Sequence, residues 1–163
     1  MGTEIERKFL VVGDDWRAGA SGIGYVQGYL SRDMARIVRV RQAGPSAYLT
    51  IKGIVEGASR PEFEYSIPLS DAQQLMNLCL RPLVEKTRYV IKYGGKRWEV
   101  DEFHGDNGGL VLAEIELSRE DEPIEIPPWV GGEVSGDPRY FNSYLSEHPY
   151  AQWPKQESSS RLL

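Results

Sequence analysis

Charged and apolar residues alternate with a period of two along most of the chain. Glu4, Glu6 and Lys8 alternate with Ile5 and Phe9, Arg39 and Arg41 with Val38 and Val40, and Thr50 and Lys52 with Leu49 and Ile51. The pattern returns in Glu62 and Glu64 beside Phe63 and Tyr65, and in Lys86 and Arg88 beside Tyr89 and Ile91. It returns again in Glu99 and Asp101 beside Trp98 and Val100, and in Glu114 and Glu116 beside Ile115 and Leu117. Side chains two apart on a strand share a face. Each segment therefore lays a charged row on one face and an apolar row on the other. The spacing predicts eight strands, near residues 3–12, 24–32, 36–43, 47–54, 60–68, 84–93, 96–103 and 110–118. Ala43-Gly44-Pro45-Ser46, Tyr93-Gly94-Gly95-Lys96 and the glycine-rich stretch 105–109 supply turns, and the short spacings imply antiparallel neighbours.

Two segments break the period. After a candidate N-cap at Ser70, residues Ala72, Leu75, Met76 and Cys79 fall on one helical face before Pro82. A second helix is predicted to start at Asp137-Pro138, with Tyr140, Tyr144 and Leu145 on its apolar side. Residues 14–24 read as a loop with a helical turn around Trp16, residues 120–128 as an extended connector, and residues 155–163 as a frayed tail. The expected organisation is one domain over residues 1–154 followed by that tail.

Two architectures fit the alternation. In one, the sheet is open and its charged face is in water, as in many antiparallel sheets. In the other, eight antiparallel strands close into a barrel, removing exposed edges and gathering the charges inside. The second places apolar residues on the outside, where two helices cover only part of them, and so predicts outer helix packing and a possible homodimer contact. The charged positions carry few Ser, Thr or Gln residues, which favours the closed form without deciding it.

Charge and composition narrow the function. The net charge of −5 opposes the broad basic face of a nucleic-acid binder. No stretch approaches the ~20 apolar residues of a membrane span, and the acidic N-terminus does not look like a signal peptide. With one cysteine, Cys79, no internal disulfide can form, which fits a reducing, cytoplasmic setting. No Cys/His cluster suggests zinc. The four tryptophans, together with His104 and His148, read as packing or surface residues.

The charged rows suggest a chemistry. Glu4, Glu6, Glu114 and Glu116 offer paired hard oxygen ligands of the kind Mg²⁺ or Mn²⁺ prefers, with Glu62, Glu64, Glu99 and Asp101 as further acids. Lys8, Arg39, Arg41, Lys52, Lys86 and Arg88 are groups suited to phosphate oxygens. A cavity holding both sets could bind a cation together with a phosphate chain, as phosphoryl transfer requires.

The segment Glu4-Ile5-Glu6-Arg7-Lys8 matches the ExExK signature of the CYTH family, the triphosphate tunnel metalloenzymes. Later segments follow in that family's order: Gln27-Gly28-Tyr29-Leu30, Val38-Arg39-Val40-Arg41, Thr50-Ile51-Lys52-Gly53, Glu62-Phe63-Glu64-Tyr65, Glu85-Lys86-Thr87-Arg88-Tyr89, Trp98-Glu99-Val100-Asp101 and Ala113-Glu114-Ile115-Glu116. Glu133 to Tyr140 resembles the start of the C-terminal helix in the short bacterial members, and the likeness spans roughly residues 3–147. The resemblance implies a mostly β fold, an eight-stranded antiparallel barrel open as a tunnel with flanking helices. It implies a divalent cation, Mg²⁺ or Mn²⁺, and a triphosphate-containing small-molecule substrate. On that basis Glu4, Glu6, Glu114 and Glu116 are expected to hold the metal, with Glu62, Glu64 and Asp101 binding a second ion or orienting the bases. Lys8, Arg39, Arg41, Lys52, Lys86 and Arg88 are expected to clamp phosphate. Tyr29 with Lys8 is a candidate pair for accepting a proton from attacking water. The family hydrolyses inorganic, thiamine or RNA triphosphates or cyclises ATP. The tight loops and lack of an inserted aromatic segment favour inorganic triphosphate here; a cyclase, a thiamine or nucleoside triphosphatase, and a non-catalytic polyphosphate-binding module are the alternatives.

Overall fold

The computed structural model describes residues 2–154, so the predicted tail lies outside the described residues. The charged rows face inward. Strands β1 (Gly2–Val11), β2 (Gly22–Ser31), β3 (Ile37–Ala43), β4 (Ser46–Lys52) and β5 (Ser59–Ser66) precede helix α1 (Leu69–Met76). Strands β6 (Leu80–Tyr93), β7 (Lys96–Phe103), β8 (Val111–Glu116) and β9 (Val130–Glu133) follow, then helix α2 (Asn142–Glu147). The sheet order is β5-β4-β3-β2-β6-β7-β8-β1-β9, and β5 also pairs with β1. That pairing closes β1 to β8 into an antiparallel barrel.

All eight predicted strands are present, with shifted ends. β6 begins at Leu80, earlier than the alternation suggested, because its first residues pair with β2 beside Tyr29. The ninth strand has no alternating pattern: Val-Gly-Gly-Glu pairs with the C-terminal half of β1, on the edge whose N-terminal half pairs with β5.

The outer face of the barrel is a hydrophobic core in two parts. Phe9, Trp98, Val100, Ala113 and Ile115 on β1, β7 and β8 pack under Trp16 and Trp129. Trp16 sits in the predicted helical turn (Asp15–Arg17), and Trp129 ends the connector, whose Glu122 is ion-paired to Lys96. On the opposite wall, Ala72, Met76 and Cys79 of the α1 region cover Val40 and Ala47. A Cβ at Gly28 would lie 2.7 Å from Leu83 and 2.8 Å from Cys79, so the glycine of the Gln27-Gly28-Tyr29 segment permits this close approach. Full burial of such side chains stabilises by about 1.5–3 kcal/mol each, which makes this shell the main support of the barrel. Ile51, Phe63 and Tyr65, on the outer face of β4 and β5, remain exposed.

The second helix differs from expectation in form and place. Pro138–Tyr140 is a single 3-10 turn capped by Asp137, and the α-helix starts only at Asn142. Both helices were expected outside the barrel, but only α1 lies there. Tyr140 and Leu145 instead pack with Val84, Phe103, Leu110 and Leu112. Val84 and Leu112 lie two residues from Lys86 and Glu114 and share their inward face. One end of the barrel is thus filled with apolar side chains, and the charged cavity stops against the C-terminal segment.

Candidate active site

The barrel encloses a cavity of about 320 Å³. Every predicted site residue lines it except Asp101, which faces inward but is buried against its partners Lys86 and Arg88. Glu4, Glu6 and Lys8 come from β1, Tyr29 from β2, Arg39 and Arg41 from β3, and Lys52 from β4. Glu62 and Glu64 come from β5, Lys86 and Arg88 from β6, and Glu114 and Glu116 from β8.

Most of the bases have carboxylate partners. Lys8 Nζ lies 3.2 Å from Glu114 and donates to the Tyr140 carbonyl at 3.0 Å. Lys52 pairs with Glu4 at 3.1 Å and with Glu62 at 3.6 Å, and Arg39 with Glu64 at 3.4 Å. Lys86 is 2.7 Å from Asp101. Arg88 makes a two-point contact with Asp101, at 2.7 and 2.8 Å, and reaches Glu114 at 3.3 Å. Arg41 is the exception among the described residues: it has no acid partner, and its Nε donates to Gln27 Oε1 at 2.9 Å.

Electrostatics follow these pairings. Burial alone would raise the Glu114 carboxyl, but Lys8 and Arg88 outweigh it and bring it down to about 2. Asp101 is likewise held far below the ordinary carboxylate range, because Lys86 and Arg88 overcome its burial. Burial, reinforced by Arg88 and Arg41, lowers Lys86 to about 7 despite Asp101. Burial, with Arg39 and Arg88 nearby, lowers Arg41 to about 10.

Glu6 shows the opposite effect. Burial, then Glu114 and Glu4, push its carboxyl up to about 8. Glu6 and Glu116 face each other in register between β1 and β8, and neither has an ion-pair partner among the described residues. Burial and the neighbouring acids Glu4 and Glu99 also raise Glu116. Such uncompensated carboxylates fit a hard divalent cation in donor type and charge. No three acids among the described residues converge tightly enough to form a complete site, since Glu4 and Glu114 are turned toward Lys52, Arg60, Lys8 and Arg88.

Lys8 and Tyr29 both line the cavity but are not bonded to each other. Tyr29 Oη accepts from Gln27 Nε2 at 3.0 Å, while Lys8 is held by Glu114 and Tyr140. Sequence reasoning missed several lining residues. Arg60, Tyr25 and Tyr48 continue the same period-two rows and were accessible by extending them. Arg60 lies 3.6 Å from Glu4 and has a buried Nη1 without a partner. Phe141, Asn142 and Ser143 carry no such signal, because they enter from the C-terminal segment.

A closed antiparallel barrel around a cavity of paired acids and bases is suited in charge to holding a phosphate chain. The CYTH domain profile matches residues 2–141, and the chain belongs to the CYTH family. It is 50% identical over 151 residues to an inorganic triphosphatase of Acetivibrio thermocellus, covering 92% of this chain and 97% of that protein. It is 39% identical over 149 residues to an inorganic triphosphatase of Nitrosomonas europaea, covering 88% and 97%. The crystal structure of the inorganic triphosphatase NE1496 superposes with a TM-score of 0.63 at 34% identity, covering 87% of this chain and 96% of that one.

Proposed function

We propose that this protein is a divalent-metal-dependent triphosphatase that hydrolyses inorganic triphosphate to diphosphate and phosphate inside the barrel. The observation that carries the reading is the convergence of six bases on one enclosed cavity with unneutralised acids beside them. The close likeness to two inorganic triphosphatases supports the same substrate. The aromatic faces in the cavity support it further. Tyr25 is covered by Arg41 and Arg88 at 5.0 and 4.9 Å, and Phe141 by Lys8 and Arg60 at 5.7 Å each. These rings are therefore occupied by cations and leave those faces closed to a nucleobase or a thiamine ring.

Glu6 and Glu116, with Glu4 and Glu114 released from their basic partners, would hold Mg²⁺ or Mn²⁺. When bound there, the cation supplies charge neutralisation to the phosphate oxygens and polarises the bond to be broken. The bases share the phosphate charge: Arg41 and Arg39 as forks, Lys8, Lys52 and Lys86 as point charges, and Arg88 mainly by fixing Asp101 and Glu114. Glu62, Glu64 and Asp101 orient these bases. Tyr29, its hydroxyl held by Gln27, is the group offered to the attacking water, and Lys8 contributes beside it as a phosphate ligand.

Phosphate release should be compared for inorganic triphosphate, ATP and thiamine triphosphate, with Mg²⁺, Mn²⁺ or EDTA, near pH 7 and pH 9. Metal-dependent release from inorganic triphosphate, far above the other two, is the expected result. Equal rates on all three, or rates unchanged by EDTA, would overturn it.

A further inference from the structure

We infer that Gln27 and Asn142 form an amide pair that positions Arg41 as the one phosphate-binding cation of the cavity without an acid partner among the described residues; this rests on the function proposed above. Gln27 is fully enclosed. Its Oε1 accepts from Arg41 Nε at 2.9 Å, and its Nε2 donates to Tyr29 Oη at 3.0 Å and to Asn142 Oδ1 at 3.1 Å. Asn142 Oδ1 also accepts from Lys86 Nζ at 2.8 Å.

The donor and acceptor inventory fixes every orientation in this chain. A charged lysine and an arginine can only donate. Lys86 therefore requires Asn142 to present its oxygen. That oxygen requires Gln27 to turn its NH₂ toward Asn142, which leaves Oε1 for Arg41. Tyr29 Oη receives the second Gln27 proton, so its own hydroxyl proton points away from Gln27. The direction of Arg41 is set by Lys86 through two neutral amides.

Neutrality matters here. Every other base of the predicted clamp contacts a carboxylate, which an incoming phosphate must displace or compete with. Arg41 is held at Nε by an uncharged oxygen, and its charge remains available to the cavity. A carboxylate at position 27 would hold the same fork equally well and neutralise it. Gln27 and Asn142 are therefore positioning residues, acting through Arg41.

Binding of inorganic triphosphate in EDTA, measured by titration calorimetry, tests this without turnover. Gln27→Glu is expected to weaken binding about tenfold or more, because the bond to Arg41 survives as an ion pair that neutralises it. In an Arg41→Gln background the same substitution should change affinity less than about twofold, since the group it acts through is gone. Asn142→Ala, a second variant in case Gln27→Glu does not fold, should weaken binding more when Arg41 is present than in the Arg41→Gln background, the remainder being its effect on Lys86. Unaltered affinity of both variants, or equal losses with and without Arg41, would overturn the inference and leave the proposed function standing. Failure of the unmodified protein to bind inorganic triphosphate in EDTA would overturn the inference alone, and failure with Mg²⁺ present as well would overturn both.

Discussion

On β7, Trp98 and Val100 face outward and are completely enclosed by other side chains, whereas Asp101, one position on, faces inward and is equally hidden at 2% exposure. The same contrast runs along β8, between Ala113 and Ile115 outside and Glu114 inside. Burial is comparable on the two faces, but its energetic meaning is opposite. Outside, it removes apolar surface from water and stabilises the barrel. Inside, it strips water from charges, and their mutual attraction offsets that cost only in part. The outer face holds the fold; the inner face keeps charges that only a ligand can satisfy fully.

Four substitutions would break or sharpen this contrast. Trp98→Ala should cost about 3–5 kcal/mol of unfolding free energy, read by urea titration, with the folded fraction keeping its specific activity. A large fall in activity per folded molecule would mean that the two faces are coupled.

Glu6→Gln should separate stability from function. Between the ordinary carboxyl value of 4.5 and about 8, the folded chain holds a proton at Glu6 that the unfolded chain releases. Stability of the metal-free protein should therefore fall as pH rises through that window. Lys86, lowered to about 7, works the other way above that pH, because the unfolded chain then binds more protons. The steepest loss is expected below pH 7. Glu6→Gln should flatten that slope and add on the order of a few kcal/mol at pH 8 in EDTA, read by thermal melts. The same variant should lose phosphate release by about 100-fold or more if Glu6 serves as the proposed metal ligand. A variant that melts like the parent at every pH would show that Glu6 is not under charge stress.

Tyr29→Phe should reduce kcat on the order of 100-fold while KM for inorganic triphosphate changes little, if the hydroxyl serves the attacking water. An unchanged kcat would remove Tyr29 from the chemistry and leave it a wall residue. The smallest effect is expected from Tyr65→Thr on the exposed outer face of β5, within about 0.5 kcal/mol in stability and without effect on rate. A larger change would show that this patch is covered in solution.

Much of the site was legible because strand geometry is periodic. Once Glu4, Glu6 and Lys8 are placed on a strand, their common face follows, and the same holds for Arg39 with Arg41 and Lys86 with Arg88. The row containing Arg60 was equally readable. Asn142 and Phe141 were not, because no local rule relates the C-terminal segment to the mouth it closes. The ninth strand escaped for a similar reason: Val-Gly-Gly-Glu has little strand propensity and forms by pairing with the free edge of β1.

The sequence by itself determined which residues share a face and that the fold is built of antiparallel strands, because both follow from the two-residue repeat and short turns. It left open whether the charged face looks outward or inward, since a slab in water and a closed barrel carry the same alternation. Only the tertiary structure decided that, through the pairing of β5 with β1 and the placing of Tyr140 and Leu145 in one end of the barrel. Both are long-range contacts, between segments far apart in sequence, and local periodicity holds no information about which distant edge a strand will meet.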